Sequence, residues 1–186
     1  MGASKQVFAD ARTGAKREHL CASFPFQSLG GNDDSVSRVR HVSTQNDALA
    51  KVDNYPGEAA LFGLHTLRDA AVAGSSQVVL TASEWDAMAV RQATGLPVVA
   101  LPSGHSTLPI SALPPLERFG KVVLWFSNDV AGQDAVDKFA RKLGRDRCFI
   151  VVPPADNIKV LVVDVVFGFD AVKCNSMWHL LDSRSS

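Results

Sequence analysis

The sequence predicts an α/β domain built on a small parallel sheet flanked by helices. Three observations predict it. Short apolar runs recur at residues 77–81, 98–101, 122–126 and 148–152. Stretches with helical periodicity lie between them. Turn and stop residues, Gly95, Pro102 and Gly144, punctuate the series. Strand, helix, strand, helix, strand, helix, strand at this spacing is the order of a parallel sheet with right-handed crossovers.

Residues 1–54 show little periodicity and are rich in Ser, Asn, Asp and Gly; the run from Gly30 to Ser35 reads as a loop. This segment is expected to be poorly ordered or peripheral. The globular pattern starts near Leu61. After the run at 77–81, Ser83 stands three residues before Asp86, the spacing of a helix-capping pair. Trp85, Met88, Ala89 and Gln92 share a helical face, which Gly95 ends. Pro102 to Ser106 forms a turn after the second strand, and Pro114 opens a short helix through Phe119. Val122 to Phe126 then reads as a fully buried strand. Ser127, Asn128 and Asp129 fall at its carboxyl end, where open α/β sheets place their ligands. The helix that follows carries Val136, Phe139, Ala140 and Leu143 on one face. The pattern changes from about residue 154, where Val-rich sequence without alternation leads into an unpatterned end.

The 186 residues suffice for one domain of ordinary size with tails. Hydrophobic residues make up 46% and charged residues 20%, with a formal net charge of zero, so any case for nucleic acid must be local. Cys21, Cys148 and Cys174 are far apart and form no C-x-x-C pair, which indicates neither a zinc site nor a disulfide framework. Reduced thiols are the plain reading. No apolar run approaches the ~20 residues that cross a bilayer, so no membrane span is expected. Lys5, Arg12, Lys16 and Arg17 near the start are mixed with Asp10 and Glu18, which gives no clear transit peptide.

Four blocks, in order, resemble one known family. They are Tyr55-Pro56 with Leu61-Phe-Gly-Leu-His-Thr66; Val78-Val-Leu-Thr-Ala-Ser-Glu-Trp-Asp-Ala-Met-Ala-Val90; Gln92-Ala-Thr-Gly-Leu-Pro-Val-Val-Ala-Leu-Pro102; and Leu113-Pro-Pro-Leu-Glu-Arg-Phe119, leading through Val122-Val-Leu-Trp125 to Phe139-Ala-Arg-Lys-Leu143 and Arg147-Cys-Phe149. Residues 55–153 resemble the TOPRIM domain of the phage-type primase–helicases, the family that includes the mitochondrial replicative DNA helicases. An active TOPRIM domain has a Glu-Gly pair after its first strand, for acid–base chemistry, and an Asp-x-Asp after a later one, because two carboxylates can share a magnesium ion. Carried across, the Glu falls on Ala82, the Gly on Ser83, and the Asp pair on Ser127 and Asp129. Glu84 is near in sequence but belongs to the first helical turn.

The resemblance thus implies a catalytically degenerate module, as in animal members with similarly eroded sites. It implies single-stranded DNA as a partner, together with homo-oligomer or full-length helicase subunits in a ring. It also implies a mitochondrial location, in the matrix nucleoid. The motor of such proteins needs a G-x-x-x-x-G-K-[ST] loop. No such string occurs here, so ATP binding and hydrolysis are expected of an absent helicase domain, and no cofactor of this chain is expected beyond a weakly held magnesium ion at Asp129 or Asp86. Residues 154–186 depart from the family, and their lost patterning points to alternative splicing or an unspliced intron. The competing classes are a magnesium-dependent primase or TOPRIM nuclease, and a truncated, non-catalytic interaction module.

Each candidate residue also has a structural reading. Asp129 is a candidate metal ligand, but a helix cap is the expected role, since one carboxylate rarely holds magnesium alone. Asp86 is either a remnant of the acidic site or a stabiliser of a helix N-terminus. Lys138, Arg141, Lys142, Arg145 and Arg147 form a basic cluster that either follows a DNA backbone or decorates a helix C-terminus. Trp85 and Trp125 sit in apolar patterns and are expected in the core; Trp178 lies in the atypical tail. His65 has no derivable chemical role, and His105 reads as a polar loop residue. Ser83, Ser103 and Ser127 stand in no nucleophile elbow, and no paired His and Asp can be located by spacing.

Overall fold

The computed structural model describes residues 2–9, 13–28, 36–46, 49–56, 59–72, 74–102, 104, 107–127, 129–151 and 172–173. The expected loop from Gly30 to Ser35, Ser103, His105, Cys174, Trp178 and nearly all of 154–186 lie outside these residues. The chain divides into two compact units, Met1–Phe62 and Gly63–Ser186.

The first unit is antiparallel. It comprises β1 (Gly2–Ala9), β2 (Lys16–Ser28), β3 (Val36–Ser43), β4 (Ala50–Asn54) and β5 (Ala59–Phe62). β2 pairs with β1, β3 and β5, and β3 pairs with β4. Four strands therefore occupy this segment, which corrects the expectation that it is poorly ordered. The reason lies in the polar residues that hid the alternation. Phe24 and Phe26 are fully buried on β2, while Ser23, just before them, joins a hydrogen-bonded row across the strands. Its Oγ lies 2.8 Å from His41 Nδ1, and His41 Nε2 lies 3.2 Å from Asp53 Oδ2. His19 Nδ1 and Ser43 Oγ meet at 2.9 Å on neighbouring strands. Buried polar atoms that satisfy one another avoid the desolvation cost that would otherwise forbid them in a sheet.

The second unit is the expected α/β layer structure. It runs α1 (Leu64–Val72), β6 (Gln77–Thr81), α2 (Glu84–Thr94), β7 (Val98–Ala100), a 3-10 turn, α3 (Leu113–Glu117), β8 (Lys121–Trp125), α4 (Val130–Leu143), a second 3-10 turn, β9 (Cys148–Val151) and β10 (Val172–Lys173). The strands lie in the order β10-β9-β8-β6-β7, and all neighbours are parallel except the β10–β9 pair. Val78, Leu80, Val99, Val122 and Leu124 are fully buried in the sheet, and Phe139 and Ala140 of α4 are fully buried too. Each such large apolar side chain contributes roughly 1.5–3 kcal/mol through burial.

Trp125 is in the core as expected, at 5% exposure. Trp85 is not: 46% of it is exposed, and the buried residues of α2 are Glu84, Ala87 and Val90. The expected face of Trp85, Met88, Ala89 and Gln92 is therefore corrected. Ser83 caps α2 and fixes where its first turn begins; that register turns positions 84, 87 and 90 inward, three residues apart.

Candidate functional site

β6 and β8 are parallel neighbours with Thr81 opposite Trp125. Their carboxyl ends thus bring Ala82 and Ser127, the two substituted acidic positions, to one rim of the sheet. Each strand turns directly into a helix, and each turn is organised by one Ser and one Asp.

After β6, Ser83 is the N-cap of α2. Its Oγ accepts the Asp86 N–H at 3.1 Å and donates to Asp86 Oδ2 at 2.6 Å. Thr81 Oγ1 donates to the Ser83 carbonyl at 2.9 Å, which ties the turn to the strand end. Asp86 is therefore part of a capping pair, and its carboxylate on the first turn also favours the helix dipole. Glu84 opens α2, as the sequence places it, but its burial at 1% exposure was missed. The available signal was its spacing from Ala87 and Val90.

After β8, Asp129 is the N-cap of α4: its Oδ1 accepts the Gly132 N–H at 2.7 Å and the Ser127 hydroxyl at 3.0 Å. The expected cap is observed. Gly132 was not singled out in the sequence, yet the turn depends on it. A Cβ there would lie 2.0 Å from the Ser127 carbonyl oxygen and 2.9 Å from its Oγ. The first turn of α4 is therefore pressed against the backbone of the strand end. Among the described residues, no three His, Cys, Asp or Glu side chains gather as a metal-ligand set.

The basic cluster lies at the other end of α4 and divides in two. Arg147 faces the protein, with Nη1 donating to the carbonyls of Leu116, Glu117 and Phe119 at 3.0, 3.1 and 2.9 Å and Nε donating to Leu143 O. It joins the ends of α3 and α4, and its donors serve packing. Arg141 and Arg145 converge on Asp137, Arg141 by a 2.5 Å ion pair and Arg145 at 2.8 Å. Lys138 and Lys142 are exposed. Ser127 and Ser83 act within their turns, and His65 is exposed on α1.

No family model matches the chain. Solved primase structures are similar to it. The primase fragment of the bacteriophage T7 primase-helicase protein is 23% identical with a TM-score of 0.56, over 73% of this chain and 55% of that one. A chain from bacteriophage T7 lagging-strand DNA polymerase interacting with gp4 primase domains is 21% identical with a TM-score of 0.59, over 90% of this chain and 76% of that one. The RNA polymerase domain of Mycobacterium tuberculosis primase DnaG is 22% identical with a TM-score of 0.55, over 95% of this chain and 59% of that one. The chain thus spans little more than half the length of the T7 fragment and of the DnaG domain. At these identities the likeness is one of architecture: the chain has a primase-like α/β fold, with a TOPRIM-like layer of parallel strands and helices.

Proposed function

We propose that this chain is the primase-derived TOPRIM module of a Twinkle-like mitochondrial 5'-3' DNA helicase, and that the module is catalytically silent. In the whole protein it would serve mitochondrial DNA replication in the matrix nucleoid. It would help to hold single-stranded DNA and to pack subunits into a ring, while a separate motor domain hydrolyses ATP. The observation that carries this reading is a primase-like fold with Ala82 and Ser127 at the two strand ends where a TOPRIM enzyme needs acids. The four sequence blocks support the family assignment. The T7 primase domains in the polymerase complex are bound to an RNA/DNA hybrid, which supports the nucleic-acid part.

Magnesium does not fit the residues present. The ion demands near-octahedral oxygen ligation, anchored by carboxylates or substrate phosphates. Among the described residues of the β8 turn only Asp129 carries a carboxylate, and its Oδ1 already accepts two internal hydrogen bonds; Asp134 lies a turn further along α4. At the β6 end Ala82 has no side-chain ligand atom, Asp86 is engaged with Ser83, and Glu84 is buried on the inward face of α2. What these residues do is close the two turns.

Primer synthesis on a single-stranded template, with ribonucleotides and magnesium, tests the reading. No product is expected. A magnesium-dependent product that disappears in Asp129→Ala would overturn it and establish a primase.

A further inference from the structure

The charges of the second unit are segregated along its strands, and this bears on where nucleic acid meets the module. The carboxyl-end rim is formed by residues 82–86 and 127–134, which contain no Lys or Arg. Exposed Asp86, Asp129 and Asp134 stand there. At the opposite end basic residues outnumber acids: Arg118, Lys121, Arg141, Lys142, Arg145 and Arg147 stand there with Glu117, Asp137 and Asp146. α4 returns from the rim over 14 residues, about 21 Å of helix. Its last turn carries Arg141 and Lys142, followed by Arg145. The carbonyls held by Arg147 place the end of α3, with exposed Arg118, beside the same turn. Lys121, at the start of β8, lies 4.4 Å from the centroid of the Phe149 ring at the start of β9.

In a TOPRIM enzyme, a bound cation would offset acids at the rim. Without one, the rim repels phosphate, whereas the basic end attracts it. Arg141 and Arg145 are also held in position there, because both guanidinium groups contact Asp137. Arg141 meets this carboxylate through Nε and Nη2, and the rest of its planar fork of five N–H donors suits phosphate oxygens.

We infer that single-stranded nucleic acid meets this module through its phosphates at the basic end, on Arg141, Lys142 and Arg145, and not across the carboxyl-end rim. The inference rests on the DNA-binding part of the proposed function and gives that part a location.

Fluorescence anisotropy of the full chain with a labelled oligothymidylate, across a series of salt concentrations, tests it. Arg141→Gln and Lys142→Gln are each expected to weaken binding on the order of threefold to tenfold at low salt. Each is also expected to flatten the log–log salt slope by about 0.7. Asp86→Asn and Asp134→Asn are expected to leave affinity within twofold. Tighter binding in the two rim variants, with no change in the Arg141 and Lys142 variants, would overturn the placement. Arg145→Gln provides a third reading of the same surface, and circular dichroism confirms that each variant is folded. Equal displacement of the oligonucleotide by polyglutamate, at matched charge, would also overturn the inference, because the surface would then be a general polyanion site. A chain that binds no oligonucleotide at any salt concentration would refute the DNA-binding part of the proposed function itself. Binding that is indifferent to these residues would refute only the location.

Discussion

The two strand-to-helix turns at the rim solve the same problem with the same two residue types in reversed roles. After β6, the serine is the cap and the aspartate supports it: Ser83 accepts the Asp86 amide and donates to the Asp86 carboxylate. After β8, the aspartate is the cap and the serine supports it: Asp129 accepts the Gly132 amide and the Ser127 hydroxyl. The surroundings differ more than the hydrogen bonds. The β6 turn accommodates a side chain three residues after its cap, where Asp86 stands. The β8 turn is closed by the contact of Gly132 with the Ser127 backbone. Two turns that look alike in sequence should therefore tolerate change very differently. The first is held mainly by one cap, and the second by a cap and a steric fit together.

The largest expected effect breaks the steric fit. In Gly132→Ala, the new methyl group must displace the Ser127 carbonyl or the first turn of α4, because 2.0 Å is far inside van der Waals contact. The expected cost is about 3 kcal/mol, at the upper end of overpacking substitutions. It is read as a lower urea midpoint with an unchanged slope. A variant as stable as wild type would show that the β8 turn is as open as the β6 turn, and the comparison would fail.

The next effect compares the caps themselves. Asp129→Ala leaves the Gly132 amide and the Ser127 hydroxyl without their shared acceptor and should cost about 1.5 kcal/mol. Ser83→Ala removes a single cap and should cost about 1 kcal/mol. Asp129→Ser, which keeps a capping oxygen, should recover most of the first loss. Thermal unfolding of the four proteins gives the order. If Ser83→Ala is the more damaging, the β6 turn is the more tightly determined of the two.

The parts of this architecture that were legible in the sequence are those where one physical signal dominates. Residues 77–81, 122–126 and 148–151 are buried on both faces, so their apolar runs declare strands and their order declares a parallel layer. Asp129 was legible as a cap because it follows a strand and precedes an amphipathic helix. The first unit was not legible, because its strands bury Ser23, His41 and Ser43 alongside Phe24 and Phe26. Polar residues satisfied across strands look like loop composition until the register that pairs them is known. Trp85 was misread for a related reason: hydropathy gave it an inward face, but the cap at Ser83 sets the helix phase and turns it outward. Gly132 carried no periodic signal, since its importance lies in a backbone five residues back that only the turn brings near. For the basic cluster, composition could count charges but not distinguish Arg147, which holds four carbonyls, from Lys142, which is exposed.

The smallest effect tests whether the β8 turn still carries the outline of a cation site. In Ser127→Asp, a carboxylate replaces a hydroxyl that lies 3.0 Å from Asp129 Oδ1 and donates to it. Two like charges at that distance disfavour joint ionisation, and the lost donor adds to the cost. Without divalent ions, the variant should be destabilised by about 1 kcal/mol at neutral pH. The repulsion falls as acid protonates one member of the pair, so stability relative to wild type should rise as the pH is lowered. Magnesium opposes the same repulsion by binding the folded form alone, and it stabilises by an amount set by its concentration relative to Kd. With Ala82 still lacking a side-chain ligand atom, only weak binding is expected, with a recovery of a few tenths of a kcal/mol when magnesium is near or below Kd. Melting curves of wild type and Ser127→Asp, with magnesium and with chelator, give the difference between the two proteins. Wild type should show no magnesium-dependent shift beyond that of an equivalent ionic strength of sodium chloride. If wild type responds as strongly as the variant, the internal hydrogen bonds of Ser127 and Asp129 yield readily to a cation. The β8 turn would then differ from the β6 turn in chemistry as well as in packing.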